Sequence, residues 1–320
     1  MPRLPSDPLA RTRRIDVGDG HMLHVTLGGN PRGRPVLIVH GGPGSGSRVS
    51  PSLFDLTRYR AVWIDQRASG QSRPRGSVRR NCTQLLVRDI EAVRQALGIA
   101  RWIVYGGSWG SALALAYAAA HPDRVDGLLL RSLYLTSAQE TNRFFGWSRT
   151  KAPQAWRALN KAAGRGLVSK LFQRCATVFQ KGTLVRQQQL AVAWNNYERQ
   201  LLVRKGCRAR QLHVKAMRAL VFKYRVQAHY LAHRCWLGSH LLGLVVRRLR
   251  QVDWPIVAVH GRFDAVCPPK NVFTVRGGLP SLQVHWIPAG HLEGDPLMSQ
   301  TLRTALDRIR DLSAPSSQGL

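Results

Sequence analysis

The chain predicts an α/β architecture: a mostly parallel sheet covered by helices on both faces, interrupted by one all-helical insertion. Three observations predict it. Short apolar, β-branched runs alternate with turn clusters and helical patterns over the first 135 residues, as in a sheet buried on both sides. The same alternation resumes after Asp253. Between about 138 and 250 the strand signal fades and helical spacing takes over. A core of 1–137 and 251–320 with a cap of 138–250 over the C-terminal edge of the sheet is therefore expected.

The elements follow in order. RPVLIVHGGPG is a buried strand running into a glycine loop, and RAVWIDQRASGQS is a second strand with a polar loop at its end. ARWIVYGGSWGSALALAYAAAHPDRV reads as strand, sharp turn and an alanine-rich helix closed by His-Pro. In the insertion, QQQLAVAWNNYERQLL and QLHVKAMRALVFKYRVQAHYLAHRCWL carry helical patterns. WPIVAVHGRFDAVCPP and LQVHWIPAGHLEGD restore the strands, and LMSQTLRTALDRIRDL closes the chain as an amphipathic helix.

Composition bounds the rest. At 320 residues, 44% apolar with nine Trp, the chain can bury a full core. The formal charge of +31 comes from 48 basic residues, 40 of them Arg. A basic surface attracts phosphate backbones or anionic lipid; an overall arginine bias spread over solvated faces is the competing account. No run reaches five or six like charges, and the densest clusters, RTRRI and LVVRRLRQ, lie outside any regular series of aromatics. Nucleic acid is therefore not the expected partner. Five cysteines without a CxxC indicate neither a disulfide framework nor a zinc site. MPRLPSDPLARTRR has no apolar signal core, and no apolar run approaches a bilayer span. A cytoplasmic protein with no membrane span is expected; the oligomeric state is not legible.

One motif carries chemistry. GGSWGS holds Gly106-x-Ser108-x-Gly110 directly after a strand and before a helix, where a nucleophile on a strained turn needs glycine neighbours. The following helix supplies free N–H groups and a positive dipole end. A serine needs a base, and in this architecture the chain order is serine, acid, histidine. Asp253 precedes its strand and falls at the wrong edge, whereas Asp264 follows IVAVHGRF at the C-terminal edge, where loops carry function. His285 alternates within a strand, and His40 and His260 miss the order, which leaves His291 in PAGHLEG. Ser108, His291 and Asp264 form the expected relay. The oxyanion would be met by the N–H of Trp109 and by an N–H of HGGPG, with Gly42 the choice there.

HGGPG, DQRASGQS, GGSWGS, GRFDAVCP and the late GH together resemble the prolyl aminopeptidase (proline iminopeptidase) family of α/β-hydrolases, from about Val36 to the last helix. The resemblance implies the α/β-hydrolase fold, release of an N-terminal proline from peptides, and no cofactor or metal. It also gives meaning to an oddity of composition: Glu198 is the only acidic residue from Thr141 to Arg250, against 23 Lys and Arg. The family's W-x-x-W-E motif stands here as Trp194-Asn195-Asn196-Tyr197-Glu198, and the matching glutamate binds the substrate's cationic imino group. A surface partner of Arg199 or another arginine is the alternative role.

The pattern departs in two places. The family's second cap glutamate, in E-x-H-Y-F, is matched by Gln227 in Gln227-Ala228-His229-Tyr230-Leu231, and Ala68 stands where its DQRG loop has glycine. Gln227 still accepts a hydrogen bond but brings no charge. Arg131 and Tyr134 fall where the resemblance implies residues of the proline pocket. The expected substrate is a peptide or a small amide or ester. An esterase or amidase with a relaxed need for a free N-terminus is the second enzymatic reading, and a basic nucleic-acid- or membrane-surface-binding protein on this scaffold is a third.

Overall fold

A computed structural model describes residues 11–48, 53–142, 144–145, 148–202 and 213–313. Cys207 lies outside them. Among these residues eight strands form one sheet: β1 (Arg11–Asp16), β2 (Met22–Gly29), β3 (Arg34–Val39), β4 (Tyr59–Asp65), β5 (Trp102–Gly107), β6 (Val125–Arg131), β7 (Ile256–Gly261) and β8 (Gln283–Ile287). Their order is β1-β2-β4-β3-β5-β6-β7-β8. The β1–β2 and β2–β4 pairs are antiparallel, and every pair from β4 through β8 is parallel.

Burial explains why the central strands read as unbroken apolar runs. Every residue of β5, β6 and β7 is buried, because alternate side chains serve two different cores. Leu37, Val104, Leu128 and Ala258 face one core, which includes helices α1 (Thr83–Ala96) and α2 (Trp109–Ala120). Ile38, Ile103, Leu129 and Val257 face the other, closed by Met298, Leu302, Leu306 and Ile309 of α10 (Pro296–Leu312). α9 (Lys270–Gly278) bridges β7 and β8. The start of α10 is fixed by the Asp295 carboxylate, which accepts from the N–H groups of Leu297 and Met298, with Pro296 at the position where a missing N–H costs nothing.

Between β6 and β7 the described chain is helical: α3 (Ala138–Asn142), α4 (Pro153–Ala162), α5 (Leu171–Lys181), α6 (Leu184–Leu202), α7 (Val214–Ala232) and α8 (His240–Leu249). α7 ends sooner than its pattern suggests. Arg234, Cys235 and Trp236 all have positive φ, which an α-helix of L-residues cannot contain. α8 packs on α2 rather than on the other insertion helices: Leu241, Val245 and Leu249 are buried, and Arg248 Nε donates to Ala119 O at 3.2 Å.

The two basic clusters also find places. RTRRI lies largely in β1, the outermost strand, where mostly exposed charged side chains discourage further strand pairing. The arginines of LVVRRLR are exposed, in the last turn of α8 and just after it. No helix among the described residues is long and apolar enough to cross a membrane.

Candidate active site

Ser108 connects β5 directly to α2 with φ 57 and ψ −125. That left-handed backbone is uncommon for a residue with a side chain, and the glycines two residues to either side leave room for the turn that carries it. A Cβ on Gly106 would stand 2.2 Å from Gly110 O, and one on Gly110 would stand 2.2 Å from Val39 O. The glycines of GGSWGS are thus required by close packing of strand, turn and helix.

The other groups arrive from loops at the same sheet edge. Asp264 follows β7 and His291 follows β8. Ser108 Oγ lies 3.1 Å from His291 Nε2, and His291 Nδ1 lies 2.9 and 3.1 Å from the Asp264 carboxylate oxygens. Asp264 Oδ1 accepts from the N–H groups of Val266 at 2.9 Å and Cys267 at 2.8 Å. Burial alone would raise the Asp264 pKa; its bond to and charge interaction with His291, together with these N–H groups, outweigh burial and hold it down at about 2. The carboxylate is therefore ionised at any pH above about 2.

Gly41 and Gly42 line the same cavity as Ser108 and Trp109, about 1190 Å³ in volume. Gly42 has φ 125, and a Cβ there would meet the N atoms of Gly44 and Ser45 at 2.9 Å. Trp109 is the first residue of α2, so no carbonyl of a preceding turn is available to its N–H. This corner is tied together by side-chain bonds that the sequence did not reveal. His40 Nε2 accepts from Gln66 N at 3.1 Å, Gln66 Nε2 donates to His40 O at 2.8 Å, and Gln66 Oε1 accepts from Trp109 Nε1 at 2.9 Å. His40, Gln66 and Trp109 lock three loops together. His260 likewise is a core residue, bonded to Leu133 N and Cys267 O. Ala68 holds the DQR loop with φ 61 and its carbonyl accepts from Gly76 N at 2.8 Å, so an alanine adopts the positive φ at the position where the resemblance implies glycine.

Arg131 lies under the turn. Its Nη1 donates to His291 O, its Nε is 3.6 Å from Glu293 Oε2, and its backbone carbonyl accepts from Ser108 N at 2.9 Å. Tyr105 OH donates to the same Glu293 oxygen at 2.5 Å. Arg131 thus joins the serine turn to the histidine loop. Tyr134 lines the cavity, its hydroxyl 3.2 Å from Thr141 Oγ1.

Glu198, Lys223 and Gln227 reach the cavity from α6 and α7. Glu198 Oε1 accepts from Trp194 Nε1 at 2.9 Å and from Gln227 Nε2 at 2.7 Å. Its Oε2 accepts from Tyr224 OH at 2.8 Å and from Lys223 Nζ at 3.2 Å. Glu198 is thus ion-paired to a lysine of the neighbouring helix. Lys223, Tyr224 and Gln227 went unread as a group, although a spacing of one turn from 223 to 227 places them on one helix face.

A serine, a histidine and a carboxylate on loops at one edge of a mostly parallel sheet, beneath helices, define an α/β hydrolase. The family model for the alpha/beta hydrolase fold matches residues 34–293. A proline iminopeptidase of Neisseria meningitidis is 33% identical over 305 residues, covering 92% of this chain and 94% of the relative. One of Xylella fastidiosa is 35% identical over 299 residues, covering 91% and 94%. The chain belongs to the proline iminopeptidase family of α/β hydrolases. Among solved structures, proline iminopeptidase of Mycobacterium smegmatis superposes with a TM-score of 0.60 at 19% identity, covering 95% of this chain and 99% of that one. An esterase from Rhodococcus sp. superposes with 0.62 at 19% identity, covering 94% and 99%. These two likenesses concern the fold.

Proposed function

We propose that the protein is a serine aminopeptidase that releases an N-terminal proline, or a similar residue, from peptides through an acyl-enzyme. The observation that carries this is the continuous line from Ser108 Oγ through His291 to Asp264, in a chain whose relatives are named proline iminopeptidases. Ser108 Oγ attacks the carbonyl carbon while its proton passes to His291 Nε2, and Asp264 holds the imidazole and stabilises its charge. The oxyanion is met by the N–H groups of Gly42 and Trp109. The C–N bond breaks as His291 returns the proton to the leaving nitrogen, and water repeats the sequence to free the acyl group. Glu198 and Gln227 hold the substrate's amine, and Tyr134 stands at the ring. Arg131 acts through the histidine loop. Residues 138–250 form the cap over a core of 1–137 and 251–320, with α8 packed on α2 of the core. Four described cysteines, Cys82, Cys175, Cys235 and Cys267, are unpaired, which suits a reducing cytoplasm.

A second reading is favoured by one observation: Glu198 is ion-paired to Lys223 and stands beside a neutral Gln227. An esterase or amidase with little need for a free N-terminus would tolerate such a site. Side-by-side kcat/KM for aryl amides of proline, alanine and acetylated proline and for a simple aryl ester separates the two. The aminopeptidase predicts proline amide above acetylated proline amide. An enzyme fast on the ester and indifferent to acetylation is an esterase.

A further inference from the structure

A carboxylate has about four lone-pair positions, and at Glu198 all four are taken. Three of its donors are fixed. Trp194 and Tyr224 are fully buried and Gln227 is 6% exposed. The fourth, Lys223, has a side chain 26% exposed and is carried on a flexible four-carbon stem. Its Nζ also lies 3.2 Å from Tyr224 OH and 4.4 Å from the centre of that ring.

Gln227 complements this arrangement. The carboxylate dictates that Nε2 faces it, which leaves Oε1 turned away, buried and without a partner. An unmatched buried acceptor is costly. Because Gln227 lines the cavity that Ser108 opens into, that acceptor suits an N–H group of a bound molecule. A bound amine is therefore offered one neutral acceptor, but reaches the anion only by taking the place of Lys223.

We propose that Lys223 is a specificity-determining residue: it occupies Glu198 in the empty site and is exchanged, cation for cation, when a substrate with a free N-terminal ammonium binds. The proposal rests on the aminopeptidase reading for its substrate class. Its consequence is a site with no net charge of its own, in which an ammonium must displace Lys223 and an acylated or ester substrate need not. Lys223 thereby narrows the preference for a free N-terminus that Glu198 alone would impose.

The test compares wild type with Lys223→Met and Lys223→Arg. Calorimetry reads binding of L-prolinamide, and initial rates read kcat/KM for proline aryl amide against acetylated proline aryl amide. Lys223→Met should bind prolinamide roughly tenfold more tightly, and the ratio of free to acetylated kcat/KM should rise by a similar factor, carried mainly by KM. Lys223→Arg, which keeps the cation, should stay near wild type on both readouts. Equal or weaker prolinamide binding in Lys223→Met, no binding in any form, or equal movement of both substrates overturns the proposal. Lys223→Gln carries the same expectation should the methionine variant fail to fold. A wild-type enzyme that turns over neither amide defeats the aminopeptidase reading, while prolinamide binding still decides the role of Lys223.

Discussion

Ser108 holds a backbone that few residues adopt, and its neighbours are built to keep it there. Ser108→Ala and His291→Ala should each lower kcat by several orders of magnitude, and Asp264→Asn by somewhat less. Each should leave the circular dichroism spectrum unchanged; substantial turnover by Ser108→Ala would end the serine mechanism. A different prediction concerns Glu140, buried in the cavity wall and bonded to Asn271 Nδ2 and Leu135 N. Burial, only partly offset by these donors, raises its pKa from 4.5 to about 8. The folded protein therefore keeps a proton that the unfolded chain releases above about 4.5. That contribution to stability is whole below pH 4.5 and is gone once pH passes about 8. Unfolding free energies from denaturant titrations should fall between pH 5 and 8 by up to a few kcal/mol more in wild type than in Glu140→Gln. The meeting of Ser108, Asp264 and His291 was legible because each follows a strand at one sheet edge. Lys223 and Tyr224 beside Glu198 were not, because a partner on another helix leaves no mark in local spacing.

At the scale of elements, two glycines make opposite predictions. Gly110→Ala places a Cβ 2.2 Å from a strand carbonyl and should cost at least about 2 kcal/mol in denaturant unfolding, if the variant folds at all. Gly243 stands inside α8 with nothing within 4 Å of an added Cβ. Gly243→Ala should raise stability by about 0.5–1 kcal/mol in the same assay. The buried strands and the turn between β5 and α2 could be read from apolar runs and glycine spacing. β1 could not, because its pairing is made by backbone while its side chains are almost all exposed. The end of α7 also escaped, since LAHRCWL continues an apolar helical pattern through residues whose backbones have left the helix.

Across the whole molecule the formal charge is +31, and one acid stands among 23 bases from Thr141 to Arg250. Such a field raises the energy of an arriving ammonium before any contact forms. Raising ionic strength from about 0.01 M to 0.15 M shortens the Debye length from about 30 Å to about 8 Å. kcat/KM for a proline amide should rise severalfold over that range, while that for a neutral ester changes little. Identical salt profiles would show that the charge is scattered too evenly to be felt at the site. Composition revealed the size of this field, whereas the ion pair that answers it locally depended on two helices meeting.

Gly44, in the loop that carries Gly42, has φ 87, and a Cβ there would stand 2.5 Å from Lys223 O of α7. No side chain can pass between that loop and the helix above it. Transplantation is thereby constrained: replacing residues 138–237 with the corresponding segment of another family member changes the ceiling against which 41–47 is moulded. Chimaeras that carry both segments from one donor should retain activity on aryl esters. Those that carry the helices alone should fold and yet turn over poorly, their serine still labelled by a phosphonate probe at a much reduced rate.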